Sequence, residues 1–292
     1  MRATSDTLPP LREVIAEYGL SAKKSLGQNF LLDFNLTRKI ARASGPLDGA
    51  EVYEVGPGPG GLTRALLAEG ATRVVAVERD RRCLPALEAI AAAYPGQVEI
   101  VPDDAIAVDE YRLLATYNVT PPVRVAANLP YNVSTPLLVK WLTVDRWPPF
   151  WSSLTLMFQR EVAERLVAAP GTSPFGRLSV LVQWRAQARI LFDVDARAFT
   201  PTPSVTSSLV RIEPLACPVG EARIADLERV TQALFGQRRK MLRQSLKQLS
   251  PDVDALLTPS GIDPRARPQD IGVAQFAALA RAYRAHTERG RT

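Results

Sequence analysis

The chain has 292 residues, enough to bury a full core and to hold one large domain plus a smaller one. Its hydrophobic share of 46% and charged share of 23% are those of an ordinary globular protein, and its formal charge of +6 favours an anionic partner. A single histidine, His286, and two isolated cysteines, Cys83 and Cys217, exclude a disulfide framework, a zinc site and any mechanism built on a histidine base.

In chain order, residues from Leu8 to Tyr18 carry apolar side chains at helical spacing, at Leu11, Val14, Ile15 and Tyr18. A basic loop with Lys23 and Lys24 follows, then a short helix from Asp33 to Ala43 with Asp33 as its N-cap. From Glu51 on, short β-type runs alternate with helical stretches. The runs are Glu51–Val55, Arg73–Val77, Val98–Val101, Val123–Ala127 and Leu154–Phe158. Helices are expected over Gly61–Glu69, Arg81–Ala93, Glu110–Ala115, Thr135–Leu142 and Arg160–Ala168. This alternation means βαβ units and a parallel sheet covered on both faces. Two further runs, Arg189–Val194 and Ser207–Ile212, have no helix between them and are expected to pair antiparallel at the sheet edge. The fold class is therefore α/β, with about seven strands, five of them parallel.

After Pro214 the periodicity is helical throughout, over Glu221–Gly236, Arg238–Leu249, Val253–Leu257 and Gln269–Ala285. We expect domains at 1–214, with 1–45 as a helical and basic extension, and at 215–292, a small all-α unit. The first thirty residues hold no apolar signal core, and no run approaches a membrane span. A cytoplasmic protein is expected.

Gly56-Pro57-Gly58-Pro59-Gly60-Gly61 follows the first β-run. Glycines there let backbone approach a ligand, and the helix beyond presents its positive end. Glu78 ends the next run, where an acid takes ribose hydroxyls, and Asp104 follows the third, where an acid suits an amine of adenine. The spacing also satisfies the dinucleotide pattern at Gly56, Gly58 and Gly61, so a nicotinamide oxidoreductase must be weighed. Two prolines remove N–H donors from the loop that would wrap a pyrophosphate, which favours S-adenosylmethionine.

Asn128-Leu129-Pro130-Tyr131 follows the fourth run. It combines an amide, a carbonyl, a ring that fixes φ and an aromatic face, a set able to hold the exocyclic amine of a planar base. On its own it reads better as an ordinary strand-to-helix turn. The neighbouring glycine turn and acids favour the site.

These stretches bring the chain to a family. The sequence resembles the small-subunit ribosomal RNA adenine N6-dimethyltransferases of the KsgA type, relatives of the Erm-type methylases and of mitochondrial transcription factor B. The resemblance runs from Lys23-Lys24-Ser25-Leu26-Gly27-Gln28-Asn29-Phe30-Leu31 through Glu54-Val55-Gly56-Pro57-Gly58 and Asn128-Leu129-Pro130-Tyr131-Asn132-Val133-Ser134-Thr135-Pro136. It continues through Gln159-Arg160-Glu161-Val162 and Gly176-Arg177-Leu178-Ser179-Val180 to Phe199-Thr200-Pro201-Thr202-Pro203-Ser204-Val205-Thr206-Ser207. Ala127 stands where glycine is frequent, and Met241 where threonine is common.

The resemblance implies a Rossmann-like class I methyltransferase domain with a helical second domain, and S-adenosylmethionine as cofactor. Asn29 and Leu31 would touch that cofactor from the N-terminal loop. Gly56 would approach its methionine part, Glu78 the ribose and Asp104 the adenine, while Asn128 would touch both cofactor and substrate. Asn128 and the Leu129 carbonyl would accept from the adenine N6 hydrogens, Pro130 would aim the carbonyl and Tyr131 would stack on the base. Phe199 is implied to cover the base's other face; with the resemblance set aside, a core aromatic at a strand edge competes with that reading.

The implied substrate is small-subunit ribosomal RNA within an immature subunit, dimethylated at two adjacent adenosines in a hairpin near its 3′ end, by a monomer. An Erm-type large-subunit enzyme and a noncatalytic assembly factor are the alternatives. Arg238, Arg239, Lys240, Arg243 and Lys247 fall in one expected helix, where Arg239, Arg243 and Lys247, at i, i+4 spacing, share a face. With Lys23 and Lys24 they read as phosphate contacts.

Overall fold

The computed structural model describes residues 8–23 and 27–289. Two compact units emerge. One comprises the chain up to Ala163 together with Arg189–Pro214, and the other Glu164–Ala188 together with everything from Leu215 on.

In the first unit, α1 (Leu11–Glu17), β1 (Phe30–Leu31) and α2 (Phe34–Ala43) precede the sheet. Asp33 caps α2, accepting from the amides of Asn35 and Leu36. Then come β2 (Glu51–Val55), α3 (Gly61–Ala68), β3 (Arg73–Val77), α4 (Leu84–Ala93), β4 (Val98–Val101), α5 (Glu110–Thr116), β5 (Val123–Ala127) and α6 (Tyr131–Leu142). β6 (Trp151–Gln159) follows, and then α7 (Arg160–Val167), which the unit boundary after Ala163 divides. The sheet order is β4-β3-β2-β5-β6-β9-β7, where β7 is Ala186–Val194 and β9 is Ser207–Pro214.

The pairs among β4, β3, β2, β5 and β6 are parallel, and β9 runs antiparallel to β6. β9 thus sits inside β7 rather than outside it. A two-residue strand between them, β8 (Phe199–Thr200), leaves this sheet to pair antiparallel with β1.

The strands are buried on both faces because they are nearly continuous apolar runs, as parallel strands covered by helices must be. One face packs Val52, Val74, Ala76 and Met157 against Ile40, Leu66, Leu87 and Ile90 of the helices. On the other, Tyr53, Trp141 and Phe150 meet edge to face at centroid separations of 5.8 to 6.5 Å. No helix among the described residues is long and apolar enough to cross a membrane.

The second unit contains α8 (Arg177–Arg185), α9 (Ile224–Gly236), α10 (Leu242–Ser245), α11 (Asp254–Ser260) and α12 (Val273–Arg289). Its core gathers Phe175 and Trp184 from the earlier segment with Leu227, Val230, Leu234, Leu246, Leu256 and Phe276. The Trp184 indole N–H also donates to the Gly220 carbonyl at 3.1 Å. The boundary expected near residue 215 is therefore incomplete, because Glu164–Ala188 packs with the helical unit.

The expected helix Arg238–Leu249 is also corrected. Residues 238–241 form a turn, and only Leu242–Ser245 is α-helical before a 3₁₀ turn over Leu246–Gln248. Residues 264 and 266 explain the break, because their carbonyls take the amides of Arg243 and Leu242.

Candidate active site

The first unit's chain starts at the middle of the sheet, at β2, moves outward to β3 and β4, and returns to β5 on the other side. At such a switch point the loops leaving neighbouring strands diverge and open a crevice at the carboxyl ends. β2 and β5 are in register at Glu54 and Ala126, so the glycine turn after β2 and the Asn-Leu-Pro-Tyr turn after β5 emerge at the same level. A cavity of about 260 Å³ lies there, lined by Asn29, Leu31, Gly56, Glu78, Asp104, Asn128, Leu129 and Pro130 among others. Eight residues expected from the sequence thus share one wall.

The glycine turn requires its glycines. Gly56 and Gly58 have φ of +65° and +56°, in the left-handed region that side chains disfavour. A Cβ on Gly58 would also meet the Phe30 ring at 3.3 Å.

Glu78 is buried, and its two carboxylate oxygens accept from the amides of Gly58 at 2.8 Å and Asp80 at 2.7 Å. Burial pushes its pKa up, and these amide hydrogen bonds oppose the rise. Asp80 is held the other way, at about 2, chiefly by the Arg82 guanidinium that grips it from 2.6 Å. Asp80 also accepts from Gln28 at 3.1 Å, which ties the N-terminal loop to the end of β3. Asp104 is more open, with one oxygen paired to Arg79 at 3.0 Å and the other accepting from the Ile106 amide.

Asn128 is half-buried, and its Nδ2 donates to the Asn29 carbonyl at 3.3 Å. That bond engages one of the amide's two N–H donors and leaves Oδ1 as an open acceptor among the described residues. The Leu129 carbonyl accepts no hydrogen bond among the described residues. Pro130 is the N-cap of α6, at φ −52° and ψ 136°.

Two expected residues stand apart from the cavity wall. Tyr131 is half-buried at the start of α6, with its hydroxyl 2.6 Å from Ser207 Oγ. Phe199 is 3% exposed and packs in the core, where β8 pairs it with Leu31. Its pairing with Leu31 sets it one strand away from the Asn29–Leu31 loop that lines the cavity.

Gln28, Phe30 and Asp80 line the cavity without having been singled out. Their signal was adjacency: two flank Asn29 and the third lies two residues past Glu78.

Of the basic residues, Lys23 is exposed and Lys24 lies outside the described residues. Arg239, Lys240, Arg243 and Lys247 are exposed and form no ion pair among the described residues. Arg239 does not share a helical face with the other two, since the helix starts after it. Arg238 differs, because its guanidinium donates to the Ser173 carbonyl and to Gln269 Oε1 at 3.1 Å.

Comparison with known proteins is decisive. The family model described as ribosomal RNA adenine dimethylase matches residues 19–284. The chain belongs to the ribosomal RNA adenine dimethylase family. The dimethylase is 64% identical over 278 residues to the ribosomal RNA small subunit methyltransferase A of Azorhizobium caulinodans, covering 95% of this chain and 94% of that one. Its counterpart of the same name in Ruegeria sp. is 59% identical, covering 94% of the dimethylase and 97% of the relative.

Among solved structures, the dimethylase resembles the 23S rRNA methyltransferase ErmE, with a TM-score of 0.63 and 25% identity. That match covers 88% of the dimethylase and 100% of ErmE. A dimethyladenosine transferase from Plasmodium falciparum shares the fold, at a TM-score of 0.68 and 22% identity over 87% of this chain and 96% of that one.

Proposed function

We propose that this enzyme uses S-adenosylmethionine to dimethylate N6 of two adjacent adenosines in a hairpin near the 3′ end of small-subunit ribosomal RNA, within an immature subunit. The observation that carries the reading is the Asn128 side chain, whose nitrogen donates to Asn29 and whose oxygen is left to accept at the wall of the cavity. The names of the relatives at 64% and 59% identity support the small subunit as target, against 25% for the large-subunit enzyme.

The residues present fit the cofactor. Left-handed glycines at 56 and 58 provide backbone without side chains at the wall, so a ligand can come close. Glu78 and Asp104 offer acceptors suited to hydroxyls and to an exocyclic amine, and Leu62 and Val133 offer apolar wall. When bound, the cofactor supplies an electrophilic methyl group on a sulfonium.

The chain's own residues then prepare the nucleophile. The adenine N6 lone pair is conjugated into the ring. Acceptance of its two hydrogens by Asn128 Oδ1 and the Leu129 carbonyl favours a pyramidal, more nucleophilic nitrogen and stabilises the positive charge that develops there. Pro130 fixes the direction of that carbonyl. Tyr131, held through its hydroxyl by Ser207, offers a ring face for a base taken out of its stack. Stacking of this kind contributes roughly 1–3 kcal/mol per base.

Arg239, Lys240, Arg243, Lys247 and Lys23 serve as phosphate contacts in this reading, supported by their exposure and lack of ion pairs among the described residues. Arg238 and Lys24 were assigned the same role from the sequence. Arg238 is better read as a structural link, given its bonds to Ser173 and Gln269. We place the enzyme in the cytoplasm, acting as a monomer.

The test is incubation with undermodified small subunits and labelled cofactor, followed by mapping of the methylated nucleotides. Label in two adjacent adenosines of the small-subunit RNA is expected. Label confined to large-subunit RNA, or none in either, would overturn the proposal.

A further inference from the structure

We propose that Lys140 is a positioning residue for the cofactor, one that clamps the loop carrying Asp104 against the helix that starts at Tyr131. The inference rests on the cofactor reading above and extends it to a side chain outside the cavity wall.

Lys140 lies toward the far end of α6, the helix that begins immediately after Pro130. Its ammonium has three hydrogens and three acceptors: the Ala105 carbonyl at 3.0 Å, the Val108 carbonyl, and Glu110 Oε1 at 2.7 Å. Two of these acceptors belong to the loop between β4 and α5, and the third is the first residue of α5. That loop contributes Asp103, Asp104 and Ala105 to the cavity. Its internal bonds are short-range, from Ile106 to Asp104 Oδ1 and from Ala107 and Val108 to the Asp104 carbonyl. Apart from the exposed Arg79–Asp104 pair at 3.0 Å, which ties the turn to the end of β3, Lys140 supplies the bonds that fasten it to a different element.

The charge is part of the device. Glu110 is buried and also accepts from the Trp141 indole N–H at 2.7 Å, so adjacent residues of α6 grip one carboxylate. A charged donor strengthens each bond to a carbonyl relative to a neutral one. A loop presenting an acceptor to a ligand must be held in place by neighbours, because small displacements of a binding group are costly. Lys140 joins the cofactor side of the cavity to the helix that follows the catalytic turn.

A merely structural role predicts a different outcome. Lys140 could serve only to neutralise Glu110, and its loss would then act through an unpaired buried carboxylate. The double variant Lys140→Met with Glu110→Gln removes that charge along with the clamp. Calorimetry with S-adenosylhomocysteine on the full chain, with amide exchange at residues 106–108 and thermal unfolding, separates the two roles. We expect the double variant to keep the thermal midpoint within a few degrees, to bind about tenfold more weakly, and to exchange those loop amides faster. At saturating cofactor its kcat should stay near that of the unaltered enzyme, with the loss in KM.

Full affinity in the double variant would overturn the inference, leaving Lys140 as a counter-charge. Lys140→Gln, which keeps one donor beside Glu110, covers a double variant that does not fold. It should bind with intermediate affinity, and full affinity there would overturn the inference equally. Absence of binding by the unaltered protein would instead refute the cofactor reading, and this inference with it.

Discussion

The cavity wall of the first unit and the basic segment of the second are built on opposite plans. At the wall, functional groups are held by other functional groups: Glu78 by the amides of Gly58 and Asp80, Asp80 by Arg82 and Gln28, and Asn128 by Asn29. In the basic segment only Arg238 is fastened, while Arg239, Lys240, Arg243 and Lys247 extend without ion pairs among the described residues. The difference suits the two tasks proposed for them. Methyl transfer to a weak nucleophile depends on fixed acceptors, whereas contact with a polyanion depends on charge and tolerates mobile side chains.

Mutations can break this contrast. The largest effect is expected from Asn128→Ala, which should lower turnover at least about a hundredfold while cofactor and RNA affinities persist. Near-normal turnover in a methyl-transfer assay would contradict a chemical role for the wall. Replacing Arg239 and Arg243 together by Ala should weaken RNA binding about tenfold and flatten its salt dependence, by roughly 0.7 to 0.9 in log–log slope per lost contact. An unchanged slope in titrations at several salt concentrations would make this a solvated face.

A pH test addresses the buried side of the wall. Burial pushes Glu54 up to about 8, and the hydrogen bond from Thr63 at 2.7 Å only partly opposes it. The folded chain therefore keeps this proton after the unfolded chain has released it, so stability falls as pH rises from the ordinary carboxyl range to about 8. Glu54→Gln should remove that decline, gaining several degrees in unfolding midpoint over the parent at pH 8 relative to pH 5. Parallel profiles for the two proteins would refute the assignment. The smallest effect is expected from Arg238→Ala, a fall of a few degrees in midpoint with no change in RNA salt slope. A changed slope would return Arg238 to the phosphate contacts.

Much of the first unit was legible because its information is local. Strands β2 to β5 coincide with β-branched runs, and Asp33 caps α2 as its position promised. Gly56, Glu78, Asp104 and Asn128 converge because each follows a strand, and parallel strands end on one edge. What escaped depends on distant partners. Phe199 pairs with Leu31 through a two-residue ladder, and nothing near either residue announces that pairing. The break before Leu242 is made by carbonyls of residues 264 and 266. α8 was missed because Leu178, Val180, Leu181, Val182 and Trp184 give no clear period, its start being marked only by Ser179 accepting from the Gly176 amide.

The bond from Asn128 to Asn29 carries one more consequence. A carboxamide has two ends of nearly equal size and opposite hydrogen-bonding sense, and the Asn29 carbonyl is the contact that tells them apart for this side chain. Were the loop before Phe30 to lift, the amide could turn over and offer a donor to an amine that needs an acceptor. The N-terminal loop thus sets the polarity of the Asn128 amide on which the proposed mechanism depends, as well as walling the cavity. Damage to it would be felt as mis-addressed chemistry in a protein whose sheet is still intact.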